Sequence, residues 1–181
     1  MTSTDDQNEL RDILLATASK LFEDLSTPEV ILAAEGGTWP ADLWSALDET
    51  GIPLALVPEN QGGAGLPFAD AMAVLRLSGA YAAPVPLAET LLATAILSDA
   101  GLTVPEGPLT IAPVNETDVL TLAKSGEGWA LSGTATRIPW AHNVGHVVVV
   151  AGSDDGKQVA CLPTDGLDCA AGKNLAFEPR D

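Results

Sequence analysis

Cysteine is scarce in this chain: Cys161 and Cys169 are the only two. Neither stands in a metal-ligand spacing, which excludes a disulfide scaffold and a structural zinc site and leaves both thiols expected reduced. Basic residues are few as well, 8 against 25 acidic ones, for a formal charge of -17. Such an excess of negative charge opposes binding to nucleic acid and to anionic membrane surfaces, so neither is expected as a partner. No apolar run approaches the roughly 18 residues of a membrane span, and the polar, acidic start Met1-Thr2-Ser3-Thr4-Asp5-Asp6 lacks the basic and apolar regions of a secretory signal. The expectation is a soluble, cytoplasmic protein without a membrane span. A phosphate-binding loop and a serine-histidine-acid order are also missing. His142 and His146 have a helical metal spacing, but they fall in a loop-to-strand segment where residues four apart do not share a face. No metal site is expected.

The chain does have apolar residues, 46% of 181, enough to fill a core. Their periodicity changes along the sequence. Leu10, Ile13, Leu14, Ala18, Leu21 and Leu25 follow one helical face, after the capping candidates Ser3 and Thr4. Ser26-Thr27-Pro28-Glu29 restarts a helix, with a cap before a proline in the first turn. A third helix begins near Trp39-Pro40, carries Leu43, Trp44 and Leu47 on one side, and stops at Gly51. Ile52 to Pro58 is apolar but bracketed by prolines and reads as a short extended segment. Two more helices are expected, from about Pro67 to Ala82 with Phe68, Met72 and Leu75 inward, and from about Pro86 to Asp99 with Leu87, Leu91, Leu92, Ala95 and Ile96 inward.

Helical periodicity stops where Gly101 to Pro108 turns rich in Gly, Pro and Thr. Beyond it, Val119 to Leu122 and Trp129 to Ser132 flank Ser125-Gly126-Glu127-Gly128, and Val147 to Val150 and Gln158 to Leu162 flank Asp154-Asp155-Gly156-Lys157. Both patterns read as β-hairpins. The fold class is α+β: an all-α helical domain over 1–104, then an antiparallel, barrel-like β domain over 105–181, incomplete at its C-terminus. Acids outnumber bases 15 to 3 over residues 1–103 and 10 to 5 over 104–181, so the helical part is the more acidic.

The Gly62-Gly63-Ala64-Gly65 turn lacks the Lys-Ser/Thr of a phosphate loop. Its surroundings are more specific. ALDETGIPLALVPENQGGAGL, from Ala46 to Leu66, then Ser78-Gly79-Ala80 and Pro84-Val85-Pro86-Leu87, resemble the N-terminal domain of the acyl-CoA dehydrogenase family. Gly128-Trp129-Ala130-Leu131-Ser132-Gly133-Thr134 and the Val147 to Val150 strand resemble its middle β domain.

The resemblance implies an FAD enzyme that oxidises an acyl-CoA to the 2-enoyl-CoA: a base takes the α proton and the β hydrogen leaves as hydride to the flavin. Electrons pass to an electron-transfer flavoprotein, and the chain is expected in a homo- or hetero-oligomer with related chains. The family's Thr-Glu-Pro-x-x-Gly-Ser-Asp stretch corresponds to Ile111-Ala112-Pro113-Val114-Asn115-Glu116-Thr117-Asp118, in which Thr117 retains a hydroxyl for flavin and substrate. Where the family has an aromatic and then a threonine beside the flavin, Arg137 and Pro139 stand, with Trp140 one position beyond. Thr117, Pro139 and Trp140 are therefore the candidate cofactor positions and Thr117 the candidate substrate contact. The resemblance places the catalytic carboxylate in a C-terminal helical domain, so no catalytic residue is assigned here. The alternative to a flavin enzyme is a structural, non-catalytic subunit of a heteromeric acyl-CoA dehydrogenase.

Overall fold

The computed structural model describes residues 4–115 and 118–175. The chain divides into two compact units, Met1–Ala88 and Glu89–Asp181.

The first unit is helical. Helix α1 (Thr4–Leu25) already includes Thr4, while Ser3 lies outside the described residues. Ala18 and Phe22 are fully buried, Leu14, Leu21 and Leu25 partly so, and Ile13 is exposed, so the buried stripe runs one position round from the expected face. Helix α2 (Pro28–Glu35) starts as its sequence predicts: Thr27 caps it, its Oγ1 accepting the Val30 N–H at 3.4 Å, and Pro28 takes the first turn. Helix α3 (Ala41–Glu49) buries Leu43, Trp44 and Leu47.

Helix α4 (Phe68–Ala80) packs along α1, which Tyr81 helps to secure. The Tyr81 ring stacks on Phe22, its hydroxyl lies 3.1 Å from Ser19 Oγ, and its carbonyl accepts the Ser26 hydroxyl at 3.0 Å. The buried residues of α4 are Ala71 and Val74, whereas Phe68, expected inward, is 62% exposed. A close approach of two helices selects small residues for the contact.

Residues 52–54 form a 3-10 turn, not the extended segment their prolines predict. Gly51, at φ 72, feeds Ile52 and Pro53 into it, and both are buried. The Gly-rich turn then folds back on this segment, with Gly65 N–H donating to Val57 O at 2.8 Å and Leu66 N–H to Ala55 O at 2.8 Å.

The second unit is a mixed sheet with a helix on one face. Its strands are β1 (Leu109–Ile111), β2 (Leu120–Ser125), β3 (Gly128–Gly133), β4 (His146–Ser153) and β5 (Gly156–Pro163). Both expected hairpins form and are antiparallel, with Ser125 opposite Gly128 and Ser153 opposite Gly156. They are longer than the sequence runs suggest, because the polar ends of the strands continue the ladder. The sheet as a whole is not purely antiparallel: β1 pairs parallel with the start of β4, and β2 parallel with its end at Thr121 and Gly152.

The Val147 to Val149 run reflects burial on both faces of β4, while Val150 is exposed. Val148 meets Leu109, Ala93 and Leu97 on one side, while Val147 and Val149 pack with Ala112, Leu120 and Leu162 on the other. Ala93 and Leu97 belong to α5 (Leu87–Asp99), so this helix packs with the sheet. That packing puts the division between the units upstream of the composition shift at Gly101 to Pro108. Leu92, expected inward, is exposed, and Thr90, Thr94 and Ser98 are buried in its stead.

Candidate functional site

Thr110, on β1 and fully buried, donates its hydroxyl to the Pro139 carbonyl at 2.6 Å. This bond ties the strand that precedes the 111–118 stretch to the segment after β3. A second tie lies further along. Asp118 accepts the Thr136 N–H at 2.8 Å, the Thr136 hydroxyl at 3.1 Å and the Asn115 amide at 2.9 Å, while Asn115 also donates to the Thr136 carbonyl at 3.3 Å. The two stretches that the resemblance assigns to flavin contact are thus bonded to each other.

Around these ties the backbone is strained. Arg137 at φ 59 and Trp140 at φ 60 are both left-handed without being glycine. Trp140 leads into the 3-10 turn Ala141–Asn143, its carbonyl accepting the Asn143 N–H at 2.8 Å. With 6% of its surface exposed, its indole is a core group.

Of the candidate positions, Thr117 lies outside the described residues, as does Glu116. Pro139 is buried, has no N–H, and its carbonyl is engaged by Thr110. An isoalloxazine ring requires donors along its polar edge and an open surface for stacking, and neither Pro139 nor the buried Trp140 presents one. These two residues do not fit a flavin ring.

Next to them is a cavity of about 730 Å³. Leu120, Leu131, Val147, Val149 and Leu162 line it from the sheet, and residues 133–138 from the segment after β3. Asp168 and Cys169 contribute from the chain beyond β5. Sequence reasoning missed this cavity, since its aliphatic residues read only as alternate strand positions. The signal in the sequence was Arg137, a charge where the resemblance has an aromatic.

Elsewhere, His142 is exposed in the 3-10 turn and His146 opens β4, with its Nδ1 buried and unpartnered. Among the described residues no group of three or more His, Cys, Asp or Glu could hold a metal ion, and no helix is long and apolar enough to cross a membrane. Cys161, on the α5 side of the sheet, has its thiol pKa pushed up by burial.

Known proteins share this architecture. A structure named as the Tcur3481-Tcur3483 steroid ACAD G363A variant superposes with a TM-score of 0.83 at 26% identity, covering 96% of this chain and 54% of that one. The ChsE4-ChsE5 complex from Mycobacterium tuberculosis gives 0.74 at 23% identity, covering 96% and 51%, a likeness of fold. Acyl-CoA dehydrogenase IpdE2 of Mycolicibacterium smegmatis is 38% identical over 102 residues, which are 54% of this chain and 32% of that protein. The chain therefore spans about half the length of the solved structures and a third of the curated relative. The family described as "Acyl-CoA dehydrogenase, N-terminal domain" matches residues 4–103, more than half of the sequence. On that match, borne by helices α1 to α5, this chain belongs to the acyl-CoA dehydrogenase family.

Proposed function

We propose that this chain is a component of an FAD-dependent acyl-CoA dehydrogenase, an oxidoreductase that introduces a Cα=Cβ bond into an acyl-CoA thioester and passes the electrons to an electron-transfer flavoprotein. Within that enzyme its role is structural: apart from Thr117, the flavin ring and the base are held by other residues of the assembly. The observation that carries the structural role is the closed state of the candidate positions, with the Pro139 carbonyl bonded to Thr110 and Trp140 in the core. Family membership supports the reaction class. The names of two similar structures, one a steroid dehydrogenase and one a complex of two different proteins, support a bulky acyl group and a heteromeric assembly.

Absorbance spectroscopy of the purified chain, alone and with its assembly partner, tests this reading. The chain alone is expected to carry no flavin and to turn over no acyl-CoA with a dye acceptor, and the assembly to carry less than one flavin per chain. A flavin spectrum stoichiometric with the isolated chain, together with turnover above a flavin-only control, would return the chain to the catalytic class. Thr117 keeps its assignment as the hydroxyl that meets flavin or thioester in the assembly. Thr117→Val is expected to weaken FAD or acyl-CoA binding there by roughly 0.5–1.5 kcal/mol; unchanged affinity for both removes that assignment.

A further inference from the structure

Asp-Gly occurs twice in the chain, at Asp155-Gly156 and at Asp165-Gly166, and both pairs lie among the described residues. Such a pair is open to attack by its own backbone, because glycine has no Cβ to block the approach of its amide nitrogen to the preceding carboxyl carbon. All four residues are exposed, and a Cβ on either glycine would meet nothing within 4 Å, so neither site is closed by its neighbours. What differs is how the backbone is held.

Asp155-Gly156 sits at the tip of the β4-β5 hairpin. Gly156 is paired with Ser153 in the ladder, the Ser153 hydroxyl donates to the Gly156 carbonyl at 2.9 Å, and the same oxygen accepts the Asp155 N–H at 3.2 Å. Ring closure there requires that the end of the ladder open first. Asp165-Gly166 lies past the end of β5, in a turn from Thr164 to Leu167 closed by the Leu167 N–H donating to Thr164 O at 3.1 Å. Asp165 and Gly166 are the central residues of this turn, outside any strand, and the closing bond uses neither. The anchor is upstream of them: Thr164 donates its N–H to Gly145 O at 3.0 Å and its hydroxyl to the Val144 carbonyl.

We propose that Asp165-Gly166 is a self-modification site, at which the folded chain converts aspartate to isoaspartate. The Gly166 amide nitrogen attacks Asp165 Cγ and a C–N bond forms. One carboxyl oxygen leaves as water, with its own proton and the amide proton, which closes a succinimide. Solvent water then adds at the former backbone carbonyl carbon of Asp165 and breaks its bond to the Gly166 nitrogen, so that the chain runs through Cγ. No electrons are transferred and the mass is unchanged. The product has one more backbone carbon and a free α-carboxylate, the group that an S-adenosylmethionine-dependent isoaspartyl methyltransferase esterifies. Because Thr164 is anchored ahead of the new carbon, β5 keeps its register and the change falls on the segment from Leu167 onward. The site is independent of the dehydrogenase reading.

Ageing of the purified chain in warm neutral buffer, followed by trypsin digestion, tests the proposal. Cleavage after Arg137, Lys157 and Lys173 puts the two Asp-Gly pairs on separate peptides, 138–157 and 158–173. Isoaspartate is read in each by methyl transfer from S-adenosylmethionine and placed on its residue by fragmentation. In the native chain it is expected to accumulate about 5-fold or more faster at Asp165 than at Asp155, the worth of one backbone hydrogen bond that must open in the hairpin. In guanidinium chloride the two rates are expected to converge. Asp165→Glu keeps the charge but requires a larger ring that closes slowly. It is expected to remove the signal from 158–173 and to leave 138–157 unchanged. Equal native rates, faster modification at Asp155, isoaspartate in neither peptide, a ratio that persists in guanidinium chloride, or an undiminished signal in Asp165→Glu overturns the proposal.

Discussion

The Thr90 hydroxyl donates to the Leu109 carbonyl at 3.0 Å and accepts the Leu109 N–H at 3.1 Å. One side chain on α5 thus satisfies both backbone polar groups of the first residue of β1, and all the atoms involved are buried. Removing the hydroxyl leaves a buried donor and acceptor without that partner, at about 1–3 kcal/mol. Thr90→Val is expected to lower the stability of the sheet unit by that amount in urea unfolding, and Thr90→Ser by much less. A Thr90→Val midpoint equal to that of the parent would contradict it.

Gly62 and Gly63 are adjacent and are glycine for different reasons. Gly62 needs its positive φ of 89° but has open space around it. A Cβ on Gly63 would sit 2.1 Å from Val57 O and 2.6 Å from Leu54 O, so this position is set by close approach of backbone, not by φ. Gly62→Ala is expected to cost about 1 kcal/mol and Gly63→Ala about 3 kcal/mol. Thermal melts of the two variants rank them, and the reverse order would refute the packing argument.

Arg11 and Asp70 pair at 3.0 Å between α1 and α4, with side chains 45% and 17% exposed. Water and salt screen such a pair, so its contribution is about 0–1 kcal/mol. Arg11→Met is expected to change stability by no more than that, and by still less at 1 M salt. A loss that is larger and independent of salt would show that the Arg11 side chain matters for packing.

Burial raises the Cys161 thiol pKa above its value in the unfolded chain. The protonated thiol therefore stabilises the fold fully at pH below the unfolded value, and this contribution is lost as pH rises through the folded one. Iodoacetamide should alkylate Cys161 more slowly in the native than in the urea-unfolded chain at pH 8, because the thiolate is the nucleophile. Equal rates for this residue by peptide mass analysis would count against it.

Local chemistry carried the identity of the elements. Thr27 and Pro28 start α2, the apolar spacing of Leu43, Trp44 and Leu47 sets the buried side of α3, and the turn residues after Ser125 and Ser153 reverse the chain into hairpins. The order of those elements, helices and then strands, was legible too, and with it the family. Each depends on neighbours a few residues apart, which the sequence displays directly.

Tertiary structure decided what depends on distant partners. Phe68 is outside and Ala71 inside because α1 lies against α4, and the sheet is mixed because β4 accepts β1 and β2 along one edge. Helix α5 belongs with the sheet through Thr90 and Leu109, across a boundary that composition places later. At the candidate site, Pro139 and Trp140 were readable as positions, but their engagement was not. Whether a carbonyl is already bonded or an indole already buried is settled by Thr110 and the surrounding core, 29 residues away in the case of the Thr110 bond.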